Sequence, residues 1–451
     1  MPIENKPRMK KMQKNLKKRK NFLYFEGEQR IYIKQIKERI NKMGLGFSIC
    51  FPVGEKQKTT KNFYEKYFKE LPSIVPNWNT SCFFYNSEFR IKLVPFEEEI
   101  CGVWEDDRVR MFSKTNSAGP GYHAYLIDVM DGLGVTPISV EDETGYYKNR
   151  DFTALQNEMA KWLKGISEAI LKLRANKNCT DFAISLPNDW RPENTGHFAC
   201  CPLGYFEKNF FKRAQNREDA ASKFFIWWNQ QQDAMFLNNC AKYLIWCENN
   251  WLQPQTDTEH EIISATLECL EKAYTLDPDL EYPAAEWIEL ARLLEDKSLE
   301  KKLLARFGIT GSGKLGYKQG SVNSSFNGWR FTHSGKMHFR HKQGERPLWW
   351  SDDRAISIET SLARLKEDTT NKNETLLRSI IKNETDCESF SLHNSKIAAY
   401  IQHSQLEDNG EYLYHTRLIA ALENEFMIMS LLYAHEDSRK WAMDVCASVM
   451  R

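Results

Sequence analysis

At 451 residues the chain is too long for one compact core and predicts two or three domains. Aromatic content of 13%, with 13 Trp, supplies ample apolar area to bury, and no apolar run reaches the length needed to cross a bilayer. Eleven Cys, an odd number without regular spacing, argue against a disulfide framework and for reduced, mostly buried thiols in a cytoplasmic protein.

The net charge of +1 conceals an asymmetry: residues 6–20, KPRMKKMQKNLKKRK, hold nine basic and no acidic side chains, leaving the other 436 residues at −8. No hydrophobic stretch follows this basic start, so no signal peptide is expected. Residues 1–46 read as a basic arm running into a helix that stops at MGLG. Lys10, Lys11, Lys14, Lys17, Lys18, Arg19 and Lys20 suit the arm to nucleic-acid phosphates through counterion release. A solvated, solubilising terminus is the structural alternative.

Residues 47–204 alternate between strand and helix signals and predict an α+β domain. FSICFPV (47–53) reads as a buried strand and KNFYEKYFKEL (61–71) as an amphipathic helix. EFRIKLV (88–94), CGVW (101–104) and DRVRMF (107–112) read as strands, and SAGPGYHAYLIDVMDGLG (117–134) as a Gly/Pro turn opening a helix. A long helix follows from about residue 152 to 173, and FAISLP (182–187) closes the block as a strand.

Residues 205–306 read as helical throughout. The stretch 217–251 is apolar on more than one face, which predicts a central buried helix or helix pair. LECLEKAYTLDPDLEYPAAEWIELARLLE resembles a tetratricopeptide helix-pair junction over about one unit. Gly-rich and strand patterns come next, so an isolated helical hairpin is expected rather than an array.

Residues 307–451 predict strands and a closing helix. GWRF and KMHFRH flank the turn HSG as a hairpin, and AISIETSLA (355–363) alternates as a strand. EYLYHTRLIA and EFMIMSLLYA flank a short LEN turn and lead into the helix SRKWAMDVCASVM (438–450). A Trp-bearing strand, further strands, a late hairpin and a closing helix give this region an element order that resembles the Mog1/PsbP-like sandwich, including its DcrB-like branch. The resemblance implies an antiparallel-sheet α/β sandwich that binds other molecules without a catalytic centre.

Four stretches invite a chemical reading. GITGSGKL (308–315) matches a phosphate loop except at Leu315, where the magnesium-binding hydroxyl is missing. It follows a helix where a phosphate loop follows a strand, and Gly308 suits a helix C-cap, so it reads as a connector. In GPGYH, Gly119, Gly121 and His123 form a candidate anion-binding turn at a helix start. His123 and Asp128 lie about 140° apart on the helix and cannot pair. A sharp turn packing Tyr122 and Tyr125 is the structural alternative.

Asp128, Asp131, Glu141 and Glu143 form a candidate magnesium or calcium site for a hydrolase, although acidic residues before a helix are also favoured by its dipole. His333, His338 and His341 fail as a zinc set, because His338 and His341 point to opposite faces of a strand. The sequence therefore points to a non-catalytic protein-binding module that needs no cofactor. An immunity- or chaperone-type role in bacterial competition or defence fits that expectation, with the helical middle and the C-terminal sandwich as the recognition surface. Its alternatives are nucleic-acid association through residues 6–20 and metal-dependent hydrolysis.

Overall fold

The computed structural model describes residues 44–451 apart from 54–60, 86, 98, 106, 176–182, 185, 188, 191–197, 216–217, 310–312, 314, 343, 363–371, 382–386, 393–395 and 409–410. The basic arm, with Lys10, Lys11, Lys14, Lys17, Lys18, Arg19 and Lys20, lies outside the described residues, as does part of the expected 182–187 strand. The class is α+β.

Six antiparallel strands build the first sheet: β1 (Gly46–Pro52), β2 (Ser81–Phe84), β3 (Glu88–Lys92), β4 (Ile100–Trp104), β5 (Arg108–Lys114) and β6 (Ser139–Asp142). Their order is β2-β3-β4-β5-β1-β6. Successive side chains point to opposite faces, and the sequence alternates accordingly. Phe89, Ile91, Ile100, Val109 and Met111 are buried on one face, while Arg90, Cys101, Arg110 and Phe112 on the other are half-buried or exposed. Gly102 sits opposite Phe89, where a Cβ would fall 2.0 Å from the ring, so only glycine fits that cross-strand pair. Helix α1 (Lys61–Lys69) inserts Tyr64 and Phe68 on the buried side, against Trp104 and Phe89.

Helices α2 (Pro120–Gly132) and α3 (Phe152–Ala175) pack together behind this sheet. The chain then forms a small hairpin, β7 (Ala199–Cys201) with β8 (Gly204–Phe206). The helix or helix pair expected over 217–251 is interrupted between its first turns and Ala234. Residues Phe225–Asp233 run as irregular chain before α4 (Ala234–Tyr243), because Trp227 donates its backbone N–H to Ala118 and accepts from Gly121. Those partners lie just before and in the first turn of α2, so tertiary hydrogen bonding outcompetes helix propagation here. A π-helical turn, Leu244–Glu248, extends α4.

Helices α5 (Asp257–Leu276), α6 (Ala284–Leu293) and α7 (Lys297–Phe307) complete the middle of the chain, the first two at the expected hairpin and the third where the sequence places a helix before the glycine-rich stretch. Their ends are satisfied locally. Thr256 and Glu259 form a reciprocal capping box on α5, and the Asp296 carboxylate accepts from Leu299 N on α7. Gly308 closes α7 in the left-handed conformation (φ 64°) with its N–H on the Leu304 carbonyl, the role the sequence assigns it. Buried apolar residues from Phe47 to Val322 form one continuous cluster, shared by the first sheet and the helices.

A second core lies in the C-terminal part. The hairpin β9 (Ser321–Phe326) and β10 (Trp329–Ser334) turns at Asn327-Gly328, both with positive φ. This corrects the expected hairpin around HSG, since β11 (His338–Arg340) pairs instead with β12 (Leu348–Trp350). The remaining strands are β13 (Arg354–Leu362), β14 (Cys387–Phe390), β15 (Ala398–Asp408), β16 (Glu411–Leu422) and β17 (Glu425–Tyr433). The seven-stranded antiparallel order is β11-β12-β13-β17-β16-β15-β14. Helices cover both faces, which the alternation along β16 records. Leu418 and Ala420 join the core containing Trp329, Phe331 and helix α9 (Arg439–Ala447), whereas Ile419 and Ala421 meet Leu376 and Leu377 of α8 (Lys372–Ile380). Among the described residues no helix is long and apolar enough to cross a membrane.

Candidate functional site

The turn before α2 is fully engaged by the chain itself. Gly119 adopts φ 111°, and its N–H bonds the Thr115 carbonyl. The Gly121 N–H goes to Trp227 O, and the His123 N–H to Gly119 O. The Ala118 N–H, next to these, is held at 2.9 Å by the buried Glu97 carboxylate. Cβ atoms at the two glycines would meet the Trp227 carbonyl at 2.7 Å and the Trp227 ring at 2.1 Å. The glycines are thus explained by close backbone packing, and the N–H groups of Ala118, Gly119, Gly121 and His123 already have internal acceptors.

His123 is fully buried. Its Nδ1 lies 2.8 Å from Thr115 Oγ1, and its Nε2 lies 3.2 Å from Thr144 Oγ1 and 3.3 Å from Asp142 Oδ1. The ring is walled by Phe47 and Tyr146. Burial alone raises the Asp142 carboxyl. The His123 ring, the Tyr147 N–H and the Thr144 hydroxyl outweigh that and hold it well below the usual carboxylate range. Sequence spacing correctly separates His123 from Asp128, but no periodicity marks Thr115, Thr144 or Asp142 as its partners. They arrive from the end of β5 and from β6.

The four carboxylates proposed as a metal site are used separately. Arg150 bridges Asp131 at 2.6 Å and Asp128 at 3.5 Å, and burial still raises the Asp128 carboxyl against that cation. Glu143 accepts from the Gly46 N–H at 2.9 Å, and burial raises it as well. Glu141 is exposed on the edge strand β6. Among the described residues no three His, Cys, Asp or Glu side chains converge as a group that could hold a metal ion. Arg150 and the β1 backbone engage three of the four candidate carboxylates, Asp128, Asp131 and Glu143.

The glycine-rich connector shows the same economy. Gly313 N–H donates to the Glu289 carboxylate at 2.8 Å, and Leu315 N–H donates to Glu286 at 3.1 Å. Carboxylates from α6 thus occupy donors that a phosphate would need.

The histidines of the C-terminal part also separate. His333 is buried, with Nδ1 2.7 Å from the Ser334 carbonyl and Nε2 2.8 Å from Ser324 Oγ. A carbonyl only accepts, so Nδ1 carries the proton and Nε2 accepts from the serine; burial pushes this histidine down to about 4. His338 is buried and lies 2.9 Å from both oxygens of Glu259, joining β11 to the start of α5, while His341 is exposed. Trp350 Nε1 bonds Gln255 Oε1 at 2.7 Å across the same junction. Beside these contacts a cleft of about 160 Å³ opens between the π-helical turn, the start of α5 and the chain entering β11.

No protein-family model matches the chain, and no curated protein matches it in sequence. Among solved structures it is similar to a protein from Bacteroides thetaiotaomicron, with 12% identity and a TM-score of 0.23 over 27% of this chain and 44% of that one. It is also similar to the solution structure of cyanobacterial PsbP from Synechocystis, with 13% identity and a TM-score of 0.23 over 32% of this chain and 98% of that one. The chain spans less than half the length of the Bacteroides protein. The PsbP-like resemblance is a distant one.

Proposed function

We propose that the chain is a non-catalytic protein-binding module whose recognition surface includes the β2 edge of the six-stranded sheet, against which no further strand pairs among the described residues. The observation that carries this reading is the chemistry of β2. Edge strands are normally protected from pairing by charges or proline. Strand β6 at the opposite edge carries Glu141 and Asp142, and the edges of the C-terminal sheet carry Arg340 on β11 and Glu388 on β14. Strand β2, Ser81-Cys82-Phe83-Phe84, carries neither charge nor proline.

Phe83 on that strand is 51% exposed, and Tyr85 just beyond it is 45% exposed. An extended segment of a partner protein adding to this edge would gain backbone hydrogen bonds and two aromatic anchors. The internal commitment of His123, Asp128, Asp131 and Glu143 supports the non-catalytic half of the reading. An immunity- or chaperone-type role is one form of it, because such roles need only a complementary surface.

The test is affinity capture from the native cell with the wild-type chain and Phe83→Glu in parallel, with purified partner then titrated against both. Loss of one partner's binding in the variant, with thermal stability unchanged, is the expected result. Equal binding by both chains overturns the assignment of the edge. Turnover of a substrate by the purified protein overturns the whole reading. Deleting residues 1–20 distinguishes the nucleic-acid alternative, which requires that deletion to abolish salt-sensitive RNA or DNA retention.

A further inference from the structure

We infer that the cleft between the helical middle and β11 binds a free aliphatic α-amino acid. Its wall combines three kinds of group. Glu248 and Lys318 line it with side chains of opposite charge, and Lys318 Nζ donates to the Glu248 backbone carbonyl at 3.1 Å. Asn249, only 2% exposed, lines the same cleft, and its Nδ2 has no hydrogen-bond partner among the described residues, although its Oδ1 accepts from Trp251 N. Ile262, Met337 and the half-exposed Phe339 supply an apolar side.

An unpartnered buried amide is costly and rare in a folded chain, so its presence beside a cleft marks a place where an acceptor belongs. Three other polar groups of the lining are already spent: Glu259 accepts from Gln255 N, Thr256 N, Asn250 Nδ2 and His338, Asn250 Oδ1 accepts from Leu252 N, and Thr256 Oγ1 accepts from Glu259 N. What the cleft still offers, beside the Thr258 hydroxyl, is one carboxylate, one ammonium, one amide donor and a hydrocarbon wall. A zwitterion with an aliphatic side chain answers all four, its carboxylate toward Lys318 and Asn249, its ammonium toward Glu248. Concave sites with a few placed polar groups on an apolar lining, at junctions between structural units, are the usual form of small-molecule sites. The cleft's size restricts the ligand to one residue rather than a peptide.

The experiment uses the full chain and L-leucine, titrated by calorimetry, with two half-ligands in parallel. 4-Methylpentanoate keeps the carboxylate and hydrocarbon, and 3-methylbutylamine keeps the ammonium and hydrocarbon. Saturable leucine binding is expected, with each half-ligand about tenfold or more weaker, the usual effect of losing a charge-assisted hydrogen bond. Lys318→Met is expected to weaken leucine by a similar factor. Phe339→Ser, at an exposed position that does not threaten folding, should weaken it severalfold. No saturable binding at about 10 mM leucine, a concentration that would still reveal a millimolar affinity, overturns the inference. An affinity that Lys318→Met leaves unchanged overturns it as well.

Discussion

His338 Nδ1 stands 2.9 Å from both carboxylate oxygens of Glu259, so one histidine of the C-terminal sheet is clamped to the capping residue of α5. The two are 79 residues apart in the chain. Glu259 thereby performs two tasks, closing the first turn of its own helix and fixing β11 against that helix.

Removing Glu259 should cost more than removing its capping partner. Thr256→Ala loses only the cap and should destabilise by about 1 kcal/mol. Glu259→Ala also strips the hydrogen-bond partner from the buried His338 ring and should cost about 1–3 kcal/mol more than that. Urea unfolding of both variants measures the difference, and equal costs would show that the His338 contact contributes nothing.

Acid sensitivity should have a histidine component. His333 has its folded value pushed down from 6.5 to about 4 by burial. Between those values the unfolded chain binds a proton that the folded chain refuses. Stability from this group is therefore complete above pH 6.5 and declines as pH falls toward 4, by about 3 kcal/mol. His403 and His415 are also lowered by burial and add to the same slope, so the comparison with His333→Gln isolates the effect. Urea midpoints from about pH 7 to about pH 4 should flatten in that variant; an unchanged slope would rule it out. Asp142 acts at lower pH: its depressed carboxyl stabilises the fold above about pH 4 and ceases to do so in stronger acid.

Two glycines should respond in opposite senses. Gly121→Ala forces a methyl group to within 2.1 Å of the Trp227 ring and 2.4 Å of the Asn229 carbonyl, and should cost about 2 kcal/mol or more. Gly165, inside α3, has nothing within 4 Å of the point where an alanine methyl would sit. Gly165→Ala should stabilise by about 0.5–1 kcal/mol through helix propensity. Thermal unfolding of the two variants decides both signs.

Nucleotide should leave the protein unmoved. With Gly313 and Leu315 N–H bound to Glu289 and Glu286, magnesium–ATP at millimolar concentration should produce no rise in unfolding temperature. A dose-dependent rise that Glu289→Gln alters would mean that the loop exchanges its carboxylates for phosphate.

Much of the fold is legible where a single element decides it. Period-two alternation marks β3, β5 and β13, and the apolar pair Leu418/Ala420 interleaved with Ile419/Ala421 records a strand covered on both sides. The stretch around Trp227 misleads for the converse reason. Its composition favours a buried helix, yet its backbone is taken by Ala118 and Gly121 more than 100 residues earlier. Nothing near Asp128 and Asp131 in the helix announces that Arg150 will bridge them.

The sequence by itself determined local geometry such as the strand faces and the αL closure at Gly308. These depend on torsions and hydrogen bonds within a few residues, which chain neighbours alone specify. Only the tertiary structure decided that His123 meets Asp142, that α6 supplies carboxylates to the glycine loop, and that Asn249 is left with an unused donor beside a cleft. Such pairings depend on which distant groups are brought together when the apolar cores close, and no local period encodes that choice.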